Sequence, residues 1–252
     1  MKLYGVPLSP PFRAVAWTLL QKNVPFKIQI TVPGATNKIG SLHDSFLSKT
    51  KSRSGTVPVL EEDDGITLSE SPAILTYLCE KHQWSDLYPN QPGTAHKALI
   101  DSYLHWHHEN TRLIATLTMP YTRPDLNRTC TQEQESGVQS VLESLDQGWL
   151  ANDAYIGGSD QASVADLLAY EEIAQASMTG VLDETISHSH PNLQAWMNRM
   201  EALPFHDAAH ASLVALGNLK EPADDTPMMK RLGAATKEGM KALQDAQQTY
   251  VS

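Results

Sequence analysis

The chain opens on a short apolar run, Lys2 to Val6, closed by Pro7, a pattern that suits a buried strand. Ser9-Pro10-Pro11 follows, then apolar positions at helical spacing from Arg13 to Lys22, then alternation in Phe26-Lys27-Ile28-Gln29-Ile30. Strand, helix and strand in that order predict a βαβ unit. Residues 31–56 are polar, with one short irregular helix expected around Leu42 to Leu47. Val57-Pro58-Val59-Leu60-Glu61 and Ile66-Thr67-Leu68 flank the acidic turn Glu62-Asp63-Asp64-Gly65, whose Asp-Gly pair favours a tight antiparallel hairpin. Ser69-Glu70-Ser71-Pro72 then opens a helix through Ala73, Ile74, Tyr77 and Leu78, with Ser as N-cap and Pro at the first helical position.

Periodicity breaks between Trp84 and Gly93, where Pro89 and Pro92 fall, so a domain boundary is expected within 83–92. Residues 1–82 form the first domain on this reading, and 93–220 form a helical one. Its helices are expected at 93–119, 131–149, 163–177, 191–202 and 206–216. Ser163-Val164-Ala165-Asp166 has the form of a capping box, with Asp in place of the usual Glu, and fixes where the third of these begins. From Gly217 the chain turns polar, and 221–252 reads as a tail of partial helicity, because its apolar residues are few and small. Its deletion is expected to leave the fold intact. The fold class predicted is α/β plus all-α.

Composition narrows the function classes. With 252 residues, 41% of them hydrophobic, the chain buries a core without disulfides or metals. A formal net charge of −10 repels phosphate backbones and anionic lipid, so neither nucleic acid nor a membrane is the expected partner. The two cysteines, Cys79 and Cys130, are too few for a disulfide framework and too far apart for a CxxC motif, which favours a reducing compartment. No signal-like N-terminus and no stretch of about 20 apolar residues occurs, and a cytoplasmic protein is expected.

Several local motifs come in a telling order: Leu3-Tyr4 in the first strand, Ser9-Pro10-Pro11-Phe12-Arg13, Gly55-Thr56-Val57-Pro58-Val59-Leu60, Leu68-Ser69-Glu70-Ser71-Pro72-Ala73-Ile74, and Ser163-Val164-Ala165-Asp166. Together they resemble the cytosolic glutathione transferases over about residues 1–216. The helix Asp101 to Arg112 looks most like the theta class, which uses serine at the position Ser9 occupies. The resemblance implies a thioredoxin-like domain (βαβ-ββα) followed by a helical bundle. It further implies glutathione as co-substrate, no metal, a small electrophile as second substrate, and a homodimer.

The candidate residues also carry their own physical argument. An X-Pro bond adopts cis at small cost, and a cis bond before Pro58 would turn the Val57 N–H and C=O outward to pair with an extended peptide ligand. Glu70-Ser71 sits at a helix N-terminus, a site for a small carboxylate, while the Glu70 carboxylate can hold an ammonium. From the residues alone, the plainer and favoured reading is that Ser71 caps its own helix and Glu70 is solvated; the resemblance assigns both residues to the γ-glutamyl end of glutathione. Ser9 lies between strand and helix, where its hydroxyl can steady a thiolate. Loop filling in a Ser-Pro-Pro turn is the alternative. The resemblance places Arg112 facing the thiol and Glu109 reaching the ligand of the neighbouring subunit, against the plainer reading of a surface pair at i, i+3.

The departures from the family pattern fall on the glycine side of the ligand. Thr56 stands where the theta pattern often has lysine, leaving Arg53 or Lys51 to supply a cation, and the family's ligand histidine aligns nearer Ser41 than His43. Trp106, Met119 and Tyr121 are candidates for the electrophile pocket by location, and core packing explains them equally well. His105, His107 and His108 share no helix face, and His206 and His210 have no carboxylate or cysteine in register, which disfavours a metal. Neither cysteine occupies the Ser9 position, which disfavours cysteine-based thiol transfer. The reading is therefore a serine-type glutathione transferase, with a non-catalytic binding or assembly module of the same fold as the alternative.

Overall fold

The computed structural model describes residues 1–51, 53–124, 127–182 and 189–249. Four short strands, β1 (Lys2–Gly5), β2 (Lys27–Ile30), β3 (Val59–Glu61) and β4 (Thr67–Ser69), form one sheet in the order β2-β1-β3-β4. β1 and β2 are parallel, joined by α1 (Pro10–Gln21), and β3 runs antiparallel to both β1 and β4. The expected hairpin forms: the Glu62 N–H donates to Ile66 O at 2.8 Å, and Gly65 takes a φ of +91° that a side chain would strain. A four-residue helix, α2 (Asp44–Leu47), is the one regular helix of the polar stretch before it. α3 (Ser71–His82) completes the βαβ-ββα order expected.

The helical part follows as α4 (Ala95–Glu109), α5 (Ala115–Thr122), α6 (Gln132–Ser144), α7 (Val164–Ser177), α8 (Pro191–Glu201) and α9 (His206–Leu216). Every α1 residue from Pro11 to Leu20 and every α7 residue from Val164 to Ala176 is buried, because these helices lie against each other at the centre of the main apolar core. Trp17, fully buried between them, donates its indole N–H to Pro204 O at 2.8 Å. A buried tryptophan keeps such a partner because its N–H would otherwise be stranded.

Two expectations are corrected here. The helix expected over 93–119 is broken: Asn110, at φ −120° and ψ −79°, ends α4, its amide donates back to Trp106 O at 2.8 Å, and a 3-10 turn over Thr111–Ile114 leads into α5. Periodicity reads straight through such a break because the apolar side resumes one turn later. The supposed polar tail is the second correction. Met228–Gln248 is a continuous helix, α10, packed along α9, with Ala235, Gly239 and Leu243 buried. A narrow stripe suffices because Gly239 lets the backbones approach closely.

Candidate functional site

Sheet register decides which loops meet. Tyr4 pairs with Val59 and Val59 with Ser69, so the segment after β1, the segment before β3 and the segment after β4 end on one edge. These carry Ser9, Val57 and Glu70-Ser71. Ser9 is the N-cap of α1, at φ −85° and ψ 119°, yet its hydroxyl caps nothing and takes no hydrogen bond among the described residues. Its backbone is tied down instead: its N–H donates to Val6 O at 2.9 Å and its carbonyl accepts from Arg13 N–H at 3.0 Å. Pro10 and Pro11 fill the first two helical positions, so this helix start offers two fewer N–H groups than most, and the hydroxyl is the principal free donor.

The Val57–Pro58 bond is cis, and the N–H and C=O of Val57 pair with no described residue. Glu70, not Ser71, is the N-cap of α3. It is exposed, its carboxylate makes no cap hydrogen bond, and its φ of +71° with ψ 111° is a strained backbone for a residue with a Cβ, costing about 1–3 kcal/mol. Ser71 is the first helical residue, buried, with neither its N–H nor its hydroxyl engaged by any described residue, and it does not cap its own helix.

Arg112 lies in the 3-10 turn after α4, its side chain 43% exposed, and Nη1 donates to Glu172 Oε1 at 2.7 Å. The i, i+3 pair with Glu109 does not form. Glu172, fully buried on α7, raises the Arg112 pKa, and the Glu70 carboxylate adds to that field. Burial raises the Glu172 carboxyl despite the guanidinium beside it. Its neighbour Glu171, also fully buried, turns the other way: Oε2 accepts from Arg13 Nε at 2.5 Å and lies 3.2 Å from His210 Nε2. Burial works to raise Glu171, but His210 and Arg13 overcome it and hold the carboxyl low. No sequence signal joined Arg13 to Glu171, 158 residues away.

The remaining candidates divide. His43 caps α2, with Nδ1 accepting from Ser45 N–H at 3.3 Å, and Ser41 Oγ accepts from Gly34 N–H at 2.9 Å, so both serve the loop. Lys51 and Arg53 are exposed, Arg53 only 3.9 Å from Asp44. Glu109 is exposed at the end of α4, and no described contact joins it or His43 to the edge bearing Ser9. Trp106 stacks at an angle between Tyr103 and Trp149, ring centroids 5.7 and 5.8 Å away, and belongs to the core. Tyr121 packs instead against the cluster of Leu216, Leu219 and Ala235, which Leu8 of the Ser9 turn also joins, whereas Met119 is half-buried, its carbonyl accepting from Arg123 N–H at 2.9 Å.

The capping box forms: Ser163 Oγ accepts from Ala165 N–H at 3.2 Å while Asp166 Oδ2 accepts from Ser163 N–H at 2.8 Å. Asp166 Oδ1 also takes Ile156 N–H and the Trp196 indole, which ties three segments together. His206 and His210 stack at 4.2 Å, and His210 does meet a carboxylate, Glu171, supplied by another helix. Among the described residues no group of three or more His, Cys, Asp or Glu is placed to hold a metal ion, and no described helix is long and apolar enough to cross a membrane. Cys79 is buried in α3, its thiol pushed up to about 12 by that burial.

Two family models match the chain, the glutathione S-transferase N-terminal domain over residues 3–89 and the C-terminal domain over 111–204. The chain belongs to the glutathione S-transferase family. Among its relatives, glutathione S-transferase theta-1 of Bos taurus is 31% identical over 248 residues, 92% of this chain and 96% of that protein. Theta-1 of Gallus gallus is 29% identical over 223 residues, 80% of this chain and 83% of that protein. The crystal structure of human glutathione transferase theta-2, in complex with glutathione and an unknown ligand, superposes with a TM-score of 0.73 at 23% identity and covers 98% of both chains. The glutathione S-transferase fold, a thioredoxin-like domain followed by a helical one, is therefore the fold of this chain.

Proposed function

We propose that this glutathione S-transferase is of the serine type: Ser9 stabilises the thiolate of glutathione for attack on an electrophilic carbon or a peroxide oxygen. The observation that carries the reading is the gathering, on one sheet edge, of groups without partners among the described residues: the Ser9 hydroxyl, the Val57 N–H and C=O, and the Ser71 N–H and hydroxyl, beside the Glu70 carboxylate. These fit glutathione. Val57 would pair with its peptide backbone, Ser71 and the α3 N-terminus would hold the γ-glutamyl carboxylate, and Glu70 would hold the ammonium.

The energetics are within reach of these groups. A thiol of pKa about 8.5 brought down by about 2 units needs about 2.7 kcal/mol, and one hydrogen bond to a charged group is worth about 1.5–3 kcal/mol. Because the two prolines thin out the N–H donors of α1, Arg112 is the natural second contributor, its charge oriented by Glu172. The thiolate lone pair forms the S–C bond as the leaving group departs with its electrons, and Arg112 steadies that departing anion. With a peroxide, an S–O bond forms as O–O breaks. Ser9 is a hydrogen-bond donor in this scheme and never a nucleophile.

On the glycine side, His43, Lys51 and Arg53 are the nearest candidates by sequence. The exposure of Glu109 supports its contact with the ligand of a partner subunit in a homodimer. The same reading makes the protein cytoplasmic, in keeping with its two unpaired cysteines. The test is the ultraviolet absorbance of glutathione thiolate across pH, with wild type and Ser9→Ala compared. A bound thiolate at neutral pH that Ser9→Ala loses supports the reading. Glutathione bound only as thiol would leave the non-catalytic binding module as the better account.

A further inference from the structure

The Ser9 hydroxyl makes no hydrogen bond among the described residues, so where its oxygen can stand follows from its backbone and the staggered rotamers that backbone allows. That backbone is the turn Val6-Pro7-Leu8-Ser9, closed by the 2.9 Å bond from Ser9 N–H to Val6 O. Pro7 at its centre is buried and gripped from three helices. Its carbonyl accepts from Ser212 Oγ of α9 at 2.9 Å and from Arg13 Nη1 of α1 at 3.2 Å. From α10, Gly239 lies so near that a Cβ built on it would stand 2.7 Å from both Pro7 Cβ and Ser212 Cβ. Leu8 packs against the apolar cluster of Leu216, Leu219 and Ala235 from the same two elements and their connection.

We propose that Gly239 and Ser212 are positioning residues for Ser9: α9 and α10 clamp Pro7 and thereby fix where the Ser9 hydroxyl points. The proposal rests on the serine-type reading and adds a purpose for the C-terminal helix. Any side chain at 239 must push Pro7 or α10 away by about 0.7 Å to regain ordinary contact, taking 3.4 Å as its lower bound against the 2.7 Å found. A pyrrolidine ring in a closed turn does not bend aside. A hydrogen bond near 2.8 Å that lengthens by that much has left the useful range, so the displacement is large on the scale that matters to a thiolate.

Gly233 supplies a matched control. It lies in the same helix, and a Cβ there meets nothing within 4 Å. The experiment titrates the thiolate absorbance of glutathione bound to wild type, Gly239→Ala, Ser212→Ala, Gly233→Ala and the double variant Ser9→Ala/Gly239→Ala. Gly239→Ala is expected to raise the thiolate pKa by about one unit, a tenfold fall in the thiolate-to-thiol ratio. Ser212→Ala shifts it in the same direction without added volume and carries the test if Gly239→Ala does not fold. Gly233→Ala leaves it unchanged, and the double variant matches Ser9→Ala, since the effect passes through Ser9. Glutathione affinity stays within about twofold, because Val57, Glu70 and Ser71 stand on other segments. An unchanged thiolate pKa in both Gly239→Ala and Ser212→Ala, with only a lower Tm, reduces the clamp to packing and overturns the proposal. An equal rise in Gly233→Ala overturns it too. If wild type itself holds no thiolate, the serine-type reading fails first and the clamp falls with it.

Discussion

Leu243 offers the sharpest test of whether α10 is a working part of the fold. It stands 26 residues beyond Gly217, in a stretch whose composition reads as a solvated tail, yet its side chain is 0% exposed and lies in the main apolar core. Truncating it to Ala removes buried methyl groups and leaves a cavity between helices that cannot wholly close. For fully buried leucines that loss is about 2–5 kcal/mol. Met229, on the same helix but 67% exposed, is the internal control, and Met229→Ala is expected to stay within about 0.5 kcal/mol of wild type. For a chain of this size about 2–4 °C accompanies each kcal/mol, so Leu243→Ala should lower Tm by roughly 4–20 °C. Thermal and urea unfolding followed by circular dichroism read both variants. Should Leu243→Ala and Met229→Ala agree within about 0.5 kcal/mol, the helix is an appendage and the packing argument is wrong. Deletion of 221–252 belongs to the same logic: it would bare Leu216 and Leu219, and it is now expected to destabilise the chain.

Other expectations concern buried charge. Arg13→Met strands Glu171, which is 0% exposed, and should cost about 3–5 kcal/mol in urea unfolding, at the low end because His210 stays 3.2 Å from that carboxylate. Pairing it with Glu171→Gln should recover much of the loss, and a cost under about 1 kcal/mol for Arg13→Met alone would refute the account. His107 is held neutral, its pKa lowered to about 3 by burial first and then by the Arg112 and His108 charges. Above pH 6.5 it is neutral in both states and adds no pH dependence; as pH falls below 6.5 the unfolded chain takes up a proton that the fold refuses. Stability therefore declines from there down to about pH 3, by about 2 kcal/mol at pH 5. His107→Gln should flatten the slope of stability against pH between 6.5 and 5, and parallel slopes for the two proteins would contradict this.

Much of the chain was legible because its signals are local. The βαβ opening, the Asp64-Gly65 hairpin and the Ser163–Asp166 cap each rest on residues a few positions apart, whose backbone preferences act before any tertiary contact exists. Ser9, Val57, Glu70 and Ser71 also sit in recognisable turns, although the α3 cap falls on Glu70 and not on Ser71, and the sheet register carries their segments to one edge. What the sequence could not show depends on which helix faces meet. Arg112 found Glu172 instead of Glu109, and Arg13 found Glu171, because α7 is buried along its length and presents adjacent carboxylates to opposite sides. The polar composition of 228–248 concealed a packed helix for a related reason. Ala235, Gly239 and Leu243 are few and widely spaced, and only the close approach of α9 and Pro7 turns so narrow a stripe into a buried contact. Local chemistry determined the elements and their turns; long-range packing decided which charges pair and what holds the Ser9 turn in place.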